Sequence, residues 1–382
     1  MVRNKSVDFC FLLGGISFPI MTGGDKVIAV LANSLVNEGY NVCVAQIKDN
    51  KSFIPDYKLF KYLLNKQKRR YSSGIKMLLR HFYELSVNDL TYKIIFKKLG
   101  KFDKKYAFNN KIKIITRINN LPNIKNLIIT TWLAAYPALS IKAESKYYFI
   151  QNSEDDESYS GYLSSYAKKT YDFKFNKIVI NEKEYERFKD DKPTKILVGF
   201  DPKYKIKNPI EKRDKKNVLF PLRTSESKGA IYMIKAAEIL HSLDNEIKFS
   251  SFGAYKGEVP NFINHYGVIT DEKLIDLYNS SSIFVLPSII EGLPLTPLEA
   301  MHCGCAAVLT NCKGTMEFAK DGKNSLVVPI KDPNAIVKAV KRILDDDNLR
   351  INLAEEGLKS SENFTYARMV EQFKKAILVN NI

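Results

Sequence analysis

Short runs that are apolar throughout alternate with amphipathic stretches in this chain, and they do so in two separate blocks. In the first block VDFCFLLG reads as a strand and is followed by the glycine-bearing loop GGISFPIMTGG. DKVIAVLANSLVNEGY then reads as a helix ending near Gly39, and NVCVAQI as a second strand. KNLIITTWL, KYYFIQN and FNKIVI read as further strands, EKEYERFKDD as a short helix, and TKILVGFD as the strand that ends the half. The second block starts the alternation again. NVLFPLR, EIKFSSFG, SSIFVLPS and CAAVLT are its strands; GAIYMIKAAEILHSL, DEKLIDLYNSS and TPLEAMHCG are the helices between them. PNAIVKAVKRILDDD and ARMVEQFKKAILV are closing helices. Apolar strands with helices between them suit parallel sheets covered on both faces. The pattern predicts two doubly wound α/β domains, joined by the polar segment 201–216 as a linker. In such sheets ligands bind beyond the carboxyl ends of the strands, so the loops that follow strands are the ones to search.

A length of 382 residues agrees with two cores. The composition, 45% hydrophobic and 26% charged, is that of a globular protein. The N-terminal apolar run resembles a secretory signal, but Asp8 and a Gly-Gly pair interrupt it, and a first buried strand is the expectation. No apolar stretch approaches the roughly 20 residues of a membrane span. Five cysteines (Cys10, Cys43, Cys303, Cys305, Cys312) form no CxxC pair, and four histidines (His81, His241, His265, His302) show no metal-ligand spacing. Neither zinc nor a disulfide framework is expected, and a reducing cytoplasm fits.

The net charge of +17 is unevenly spread: residues 58–117 hold 17 Lys/Arg against 3 Asp/Glu, interleaved with apolar and aromatic residues. This mixture reads as basic amphipathic helices able to lie on an anionic membrane surface. Nucleic-acid binding and a solvated face without a partner are the alternatives; the membrane is the expected partner, and no nucleic acid is expected.

The stretch LPSIIEGLPLTPLEAMHCGC carries Glu291 and Glu299 on either side of a proline-stiffened corner between a strand and a helix. Thr296, Pro297 and Glu299 fit a capping box, with Thr296 as cap and Pro297 opening the helix, and Gly304 closing it. That accounts for Glu299 but leaves Glu291 unexplained. Free N–H groups at a helix start favour a phosphate, whereas carboxylates accept hydrogen bonds from hydroxyls. A sugar, a diphosphate and a ribose in a row satisfy the set. Glu291 would hold sugar hydroxyls, the Gly292, Leu293, Pro294, Leu295 and Thr296 segment would face the diphosphate, and Glu299 would take the ribose.

PSIIEGLPLTPLEAMHCGCAAVLT closely resembles the E-x7-E signature of retaining glycosyltransferases of family 4, also called group 1. The likeness covers most of the second half. It includes FPLRTSESKG, HYGVITDEKLIDLYNSSSIFVLPS, KGTMEFAKDGKNSLVVP (Ser325 where glycine is usual) and FTYARMVEQF (Tyr366 in place of tryptophan). TGGDKVIAVLANSLVNEGYNVCV resembles the family's first glycine loop and helix, while residues 50–125 match nothing. TTWLAAYP and KYYFIQNSEDDE are similar to a subgroup that includes rhamnosyltransferases.

The resemblance implies a GT-B fold of two facing Rossmann-like domains with an interdomain cleft: residues 1–200 for the acceptor, 217–365 for the nucleotide sugar, and a helix over 366–382 packing back on the first domain. It implies that Arg223 and Lys228 neutralise the β-phosphate of the leaving nucleotide, with Glu291 as the third residue at the reacting centre. Gly23 and Gly24 would let backbone approach the donor. Where many members carry a histidine near the donor sugar, this chain has Gln151 and Asn152. Front-face retention needs no protein base, because the leaving phosphate can take the acceptor proton. Nothing resembles a DxD metal motif, and neither metal nor cofactor is expected. Together with the cysteine usage and the basic segment, the resemblance leads to the expectation of a cytoplasmic, membrane-apposed hexosyltransferase acting on a surface polysaccharide or lipid-linked glycan. A nucleotide-sugar epimerase and a non-enzymatic binding protein are the rivals.

Overall fold

The computed structural model describes residues 6–14, 23–46, 108–115, 117, 120–156 and 160–378. The chain divides into two compact units. One comprises Met1–Ile180, Glu184–Ile196 and Val370–Ile382; the other Asn181–Lys183 and Leu197–Met369. The basic segment falls almost wholly outside the described residues. Among these residues no helix is long and apolar enough to cross a membrane.

The first unit contains β1 (Val7–Leu13), α1 (Gly23–Asn37), β2 (Val42–Gln46), β3 (Lys113–Ile115), β4 (Ile124–Ile129), α2 (Trp132–Ala138), β5 (Ser145–Ile150), α3 (Ser164–Thr170), β6 (Asn176–Val179), α4 (Glu182–Arg187, shared with the second unit) and β7 (Thr194–Lys195). Its seven strands among the described residues are parallel, in the order β3-β2-β1-β4-β5-β6-β7. The second unit contains β8 (Asn217–Pro221), α5 (Ala230–Leu243), β9 (Lys248–Phe252), β10 (Ile263–His265), α6 (Asp271–Ser280), β11 (Ile283–Leu286), α7 (Leu295–His302), β12 (Ala306–Thr310), β13 (Leu326–Val328), α8 (Pro333–Asp345) and α9 (Asp347–Ser361). Its six strands are again parallel, ordered β10-β9-β8-β11-β12-β13. These are two doubly wound α/β domains. In each the strand order reverses once, between β1 and β4 and between β8 and β11, and such switch points are where crevices open.

Several elements differ from their sequence readings. KNLIITTWL is not all strand: β4 stops at Ile129, and Thr131 caps α2, its hydroxyl accepting from the Ala134 N–H. TKILVGFD forms a strand only at Thr194–Lys195, with an isolated parallel bridge from Phe200 to Thr365 further on. The rest of this run carries the chain into the second unit, with Ile196, Val198 and Phe200 buried but outside any named strand. Residues 201–216 contribute to the second unit: Tyr204 and Ile210 are buried, and the buried Arg213 donates to the Ser281 and Cys303 carbonyls. Gly23 and Gly24 form the first turn of α1 rather than the loop before it. The last helix, α10 (Tyr366–Leu378), enters the first unit at Val370. There Phe373 stacks on Phe11, and the Ile377 carbonyl accepts from the Tyr147 hydroxyl.

Candidate functional site

The second unit places the expected residues Arg223, Lys228 and Glu291 on loops at its switch point. β8 and β11 are neighbours, with Ile283 opposite Val218 and Phe284 opposite Leu219. The loop after β8 carries Arg223 and Lys228; the loop after β11 carries Glu291. Backbone contacts join the two loops. The N–H groups of Ile289 and Ile290 both donate to the Ser227 carbonyl, at 2.8 and 3.2 Å. Gly229 follows Lys228 at φ +66°, and a β-carbon there would stand 2.0 Å from the Pro287 carbonyl oxygen. Only glycine meets both demands.

This approach brings two side chains 63 residues apart into an ion pair: Lys228 Nζ lies 2.8 Å from Glu291 Oε2. The Ser288 hydroxyl donates to the other oxygen, Oε1, at 2.8 Å. The pair is mostly withdrawn from solvent, with Lys228 26% and Glu291 14% exposed. Arg223, by contrast, is exposed and forms no ion pair among the described residues. Two cations and a carboxylate therefore gather at the carboxyl ends of adjacent strands, with one cation already committed to the carboxylate.

The corner between Glu291 and α7 is braced from several sides. Asn181 Nδ2 donates to the Gly292 carbonyl at 3.1 Å, and the Thr310 hydroxyl donates to the Leu286 and Ser288 carbonyls. A β-carbon at Gly314 would fall 2.5 Å from the Gly292 carbonyl oxygen and 2.8 Å from that of Glu291. The Gly292 carbonyl is thus engaged by Asn181, while α7 opens with N–H groups that have no intrahelical acceptor. Pro294 and Pro297 have no N–H at all. The anion donors on offer are therefore Gly292, Leu293, Leu295 and Thr296, not the whole segment.

The capping box read from the sequence is not the one that forms. α7 begins at Leu295 with Pro294 as its cap residue, which puts Pro297 at the third helical position and Glu299 at the fifth. Proline fits there because a third-position N–H lacks an intrahelical acceptor anyway. Glu299 is buried, and its Oε2 accepts from the Tyr278 hydroxyl at 3.1 Å. Burial and the neighbouring carboxylate hold the Tyr278 phenol well above its usual range, so it stays a donor.

In the first unit two expected residues meet. A β-carbon on Gly24 would stand 3.1 Å from Gln151 Oε1, so the start of α1 lies against the loop after β5. That loop turns its acidic residues to structural use. Ser153 donates to the buried Glu184, and Asp155 forms a two-pronged pair with Arg187 at 2.9 and 2.5 Å. Glu154 is buried and accepts from the Trp132 N–H at 2.8 Å and the Tyr148 hydroxyl at 2.9 Å. Burial pushes its carboxyl up to about 8, against the pull of those two donors. Gln151 and Asn152 stay half-buried.

Among the described residues, no group of three or more His, Cys, Asp or Glu side chains could hold a metal ion. Sequence reasoning missed Ser288, Tyr278, Thr310 and Gly314 as supports of the site. Ser288 and Tyr278 stand inside stretches already singled out, yet nothing in their spacing says which carboxylate each would meet.

Residues 202–360 match the family described as Glycosyl transferases group 1. Over 333 residues the chain is 24% identical to N,N'-diacetylbacillosaminyl-diphospho-undecaprenol alpha-1,3-N-acetylgalactosaminyltransferase of Campylobacter jejuni, covering 80% of this chain and 87% of that one. It is also 24% identical to an uncharacterized glycosyltransferase of Haemophilus influenzae, covering 92% and 95%. Among solved structures, sucrose-phosphate synthase of Thermosynechococcus elongatus superposes with a TM-score of 0.66 at 15% identity, over 98% of both chains. Anabaena Alr3699/HepE in complex with UDP-glucose gives 0.64 at 14%, over 98% of this chain and 100% of that one. The fold is the GT-B fold, and residues 202–360 are similar to the group 1 glycosyltransferase family.

Proposed function

We propose that this chain is a retaining, metal-independent hexosyltransferase of family 4, moving a hexose from a nucleotide-diphosphate sugar to a surface polysaccharide or lipid-linked glycan. The observation that carries the reading is the Lys228–Glu291 pair at the switch point, on loops after two adjacent strands of which one also carries Arg223, within the residues that match the group 1 family. Breaking the bond from sugar to diphosphate builds negative charge on the leaving β-phosphate. Arg223 and Lys228 are the cations that stabilise it, which removes the need for a metal. The N–H groups of Gly292, Leu293, Leu295 and Thr296 face the diphosphate, Glu291 holds sugar hydroxyls, and Glu299 holds the ribose. The leaving phosphate takes the acceptor hydroxyl's proton on the same face, and the anomeric configuration is retained. Gly23, Gly24 and Gln151 serve the donor sugar from the first domain, which also takes the acceptor.

The name of the Campylobacter relative specifies a diphospho-undecaprenol acceptor, and that of an Escherichia coli relative, 32% identical over 117 residues, an O-antigen chain. These support a glycan acceptor of lipopolysaccharide or capsule type, and the likeness of residues 126–175 to rhamnosyltransferases belongs to the same reading. They also support a cytoplasmic enzyme resting on the inner membrane face through its basic segment. Deleting residues 61–105 should abolish co-sedimentation with anionic vesicles; undiminished binding by a folded deletion protein would remove this part.

The first test of the donor site is a thermal-shift screen with UDP, GDP, dTDP and ADP on wild type and Glu299→Ala. One nucleotide at a hundred times its dissociation constant should add about 2.7 kcal/mol to the wild type, and the variant should lose that response. If no nucleotide stabilises the wild type, the donor-site reading fails.

A further inference from the structure

We infer that the Lys228–Glu291 pair is a latch that a bare nucleoside diphosphate must break without compensation, so that the product of transfer is held weakly and leaves. The inference rests on the diphosphate site proposed above.

Both oxygens of Glu291 are engaged, Oε1 by the Ser288 hydroxyl and Oε2 by the Lys228 ammonium. Arg223 is exposed, without an ion-pair partner among the described residues, and can meet an incoming diphosphate at once. Lys228 can do so only by leaving Glu291. That exchange strips a charge-assisted bond from a carboxylate that is 14% exposed, and it sets a phosphate's negative charge beside it. A hexose on the diphosphate brings hydroxyl donors that can replace the ammonium at Oε2. A bare nucleoside diphosphate brings none. Once the sugar has gone to the acceptor, Glu291 again lacks a donor, Lys228 returns to it, and the hold on the phosphate falls to Arg223 and the backbone N–H groups. The pair thus favours the loaded donor over the spent one.

The test titrates UDP, GDP, dTDP and ADP by calorimetry into wild type, Glu291→Gln, Lys228→Met and the double variant, with Glu291→Ala as a second removal of the carboxylate. For the nucleotide that binds wild type, Glu291→Gln should bind roughly fivefold tighter, the scale of one modest ion pair. The same change should gain less when made in Lys228→Met. Unchanged or weaker binding in both Glu291 variants overturns the latch. So does an equal or larger gain in the Lys228→Met background, which would mean simple charge repulsion. Either result leaves the diphosphate site standing, whereas no binding to wild type by any of the four removes the site and the latch together.

Discussion

The loop after β5 in the first unit and the loop after β11 in the second occupy the same kind of place, the carboxyl end of a parallel strand, and both carry acidic side chains. They use them oppositely. After β5, Glu154 is buried against a helix start and a tyrosine, and Asp155 is tied to Arg187. The acidic side chains hold the loop, and neutral Gln151 and Asn152 are left at its start. After β11 the bracing comes from neutral groups: Ser288, Thr310, Asn181 and the Ser227 carbonyl. The charged residues Glu291, Lys228 and Arg223 remain partly or wholly open. An acidic residue at a strand end does not mark a site by itself. What matters is whether its partner is the scaffold or something that can be exchanged.

The sharpest way to break this contrast is to remove one charge from the second unit and one neutral group from the first. Arg223→Ala should lower kcat roughly a hundredfold or more, as losing a fixed stabiliser of developing charge does. Gln151→Ala should cost about tenfold, the worth of one hydrogen bond. Both are read as nucleoside diphosphate released during transfer, and equal losses would erase the distinction.

The structural use of Glu154 is tested by pH. Its folded-state carboxyl is raised from the ordinary 4.5 to about 8, so its contribution is fully present below about 4.5. That contribution is lost as pH rises through the window, because the unfolded chain releases the proton first. Stability should fall by on the order of 1 kcal/mol per pH unit between those limits. Glu154→Gln, neutral throughout, should flatten this slope in urea midpoints taken across the window. A slope that persists in the variant would show that Glu154 is not its source.

A smaller effect tests the neutral bracing of the second corner. Gly314→Ala drives a β-carbon towards the Gly292 carbonyl and should cost about 2 kcal/mol, the scale of an overpacked site. An unaltered urea midpoint would mean that the loops can part, and that the corner is less rigid than its contacts imply.

Much of the fold is legible in the sequence because burial on both faces of a parallel sheet leaves a local signature. β1, β5, β8, β11 and β12 follow directly from their apolar runs. α9 escapes the same reading because its buried face includes Arg350, which donates to Asp347 and to the Ile210 carbonyl, so a core position looks like a surface one. β10 and β13 are three residues each, too short to show a period. The TKILVGFD run misleads for the opposite reason. It is buried and so apolar, but most of it has no strand beside it.

The sequence by itself determined two α/β blocks and the placing of Arg223, Lys228, Glu291 and Glu299 in or just after strand-end loops, since local periodicity fixes strands and helices. Only the tertiary structure decided that Lys228 closes on Glu291 while Arg223 stays open, that Tyr278 rather than a helix cap holds Glu299, and that the acidic loop after β5 faces inward. Those outcomes depend on which strands lie side by side. Strand order is set by packing between residues far apart in the chain, and no local pattern records it.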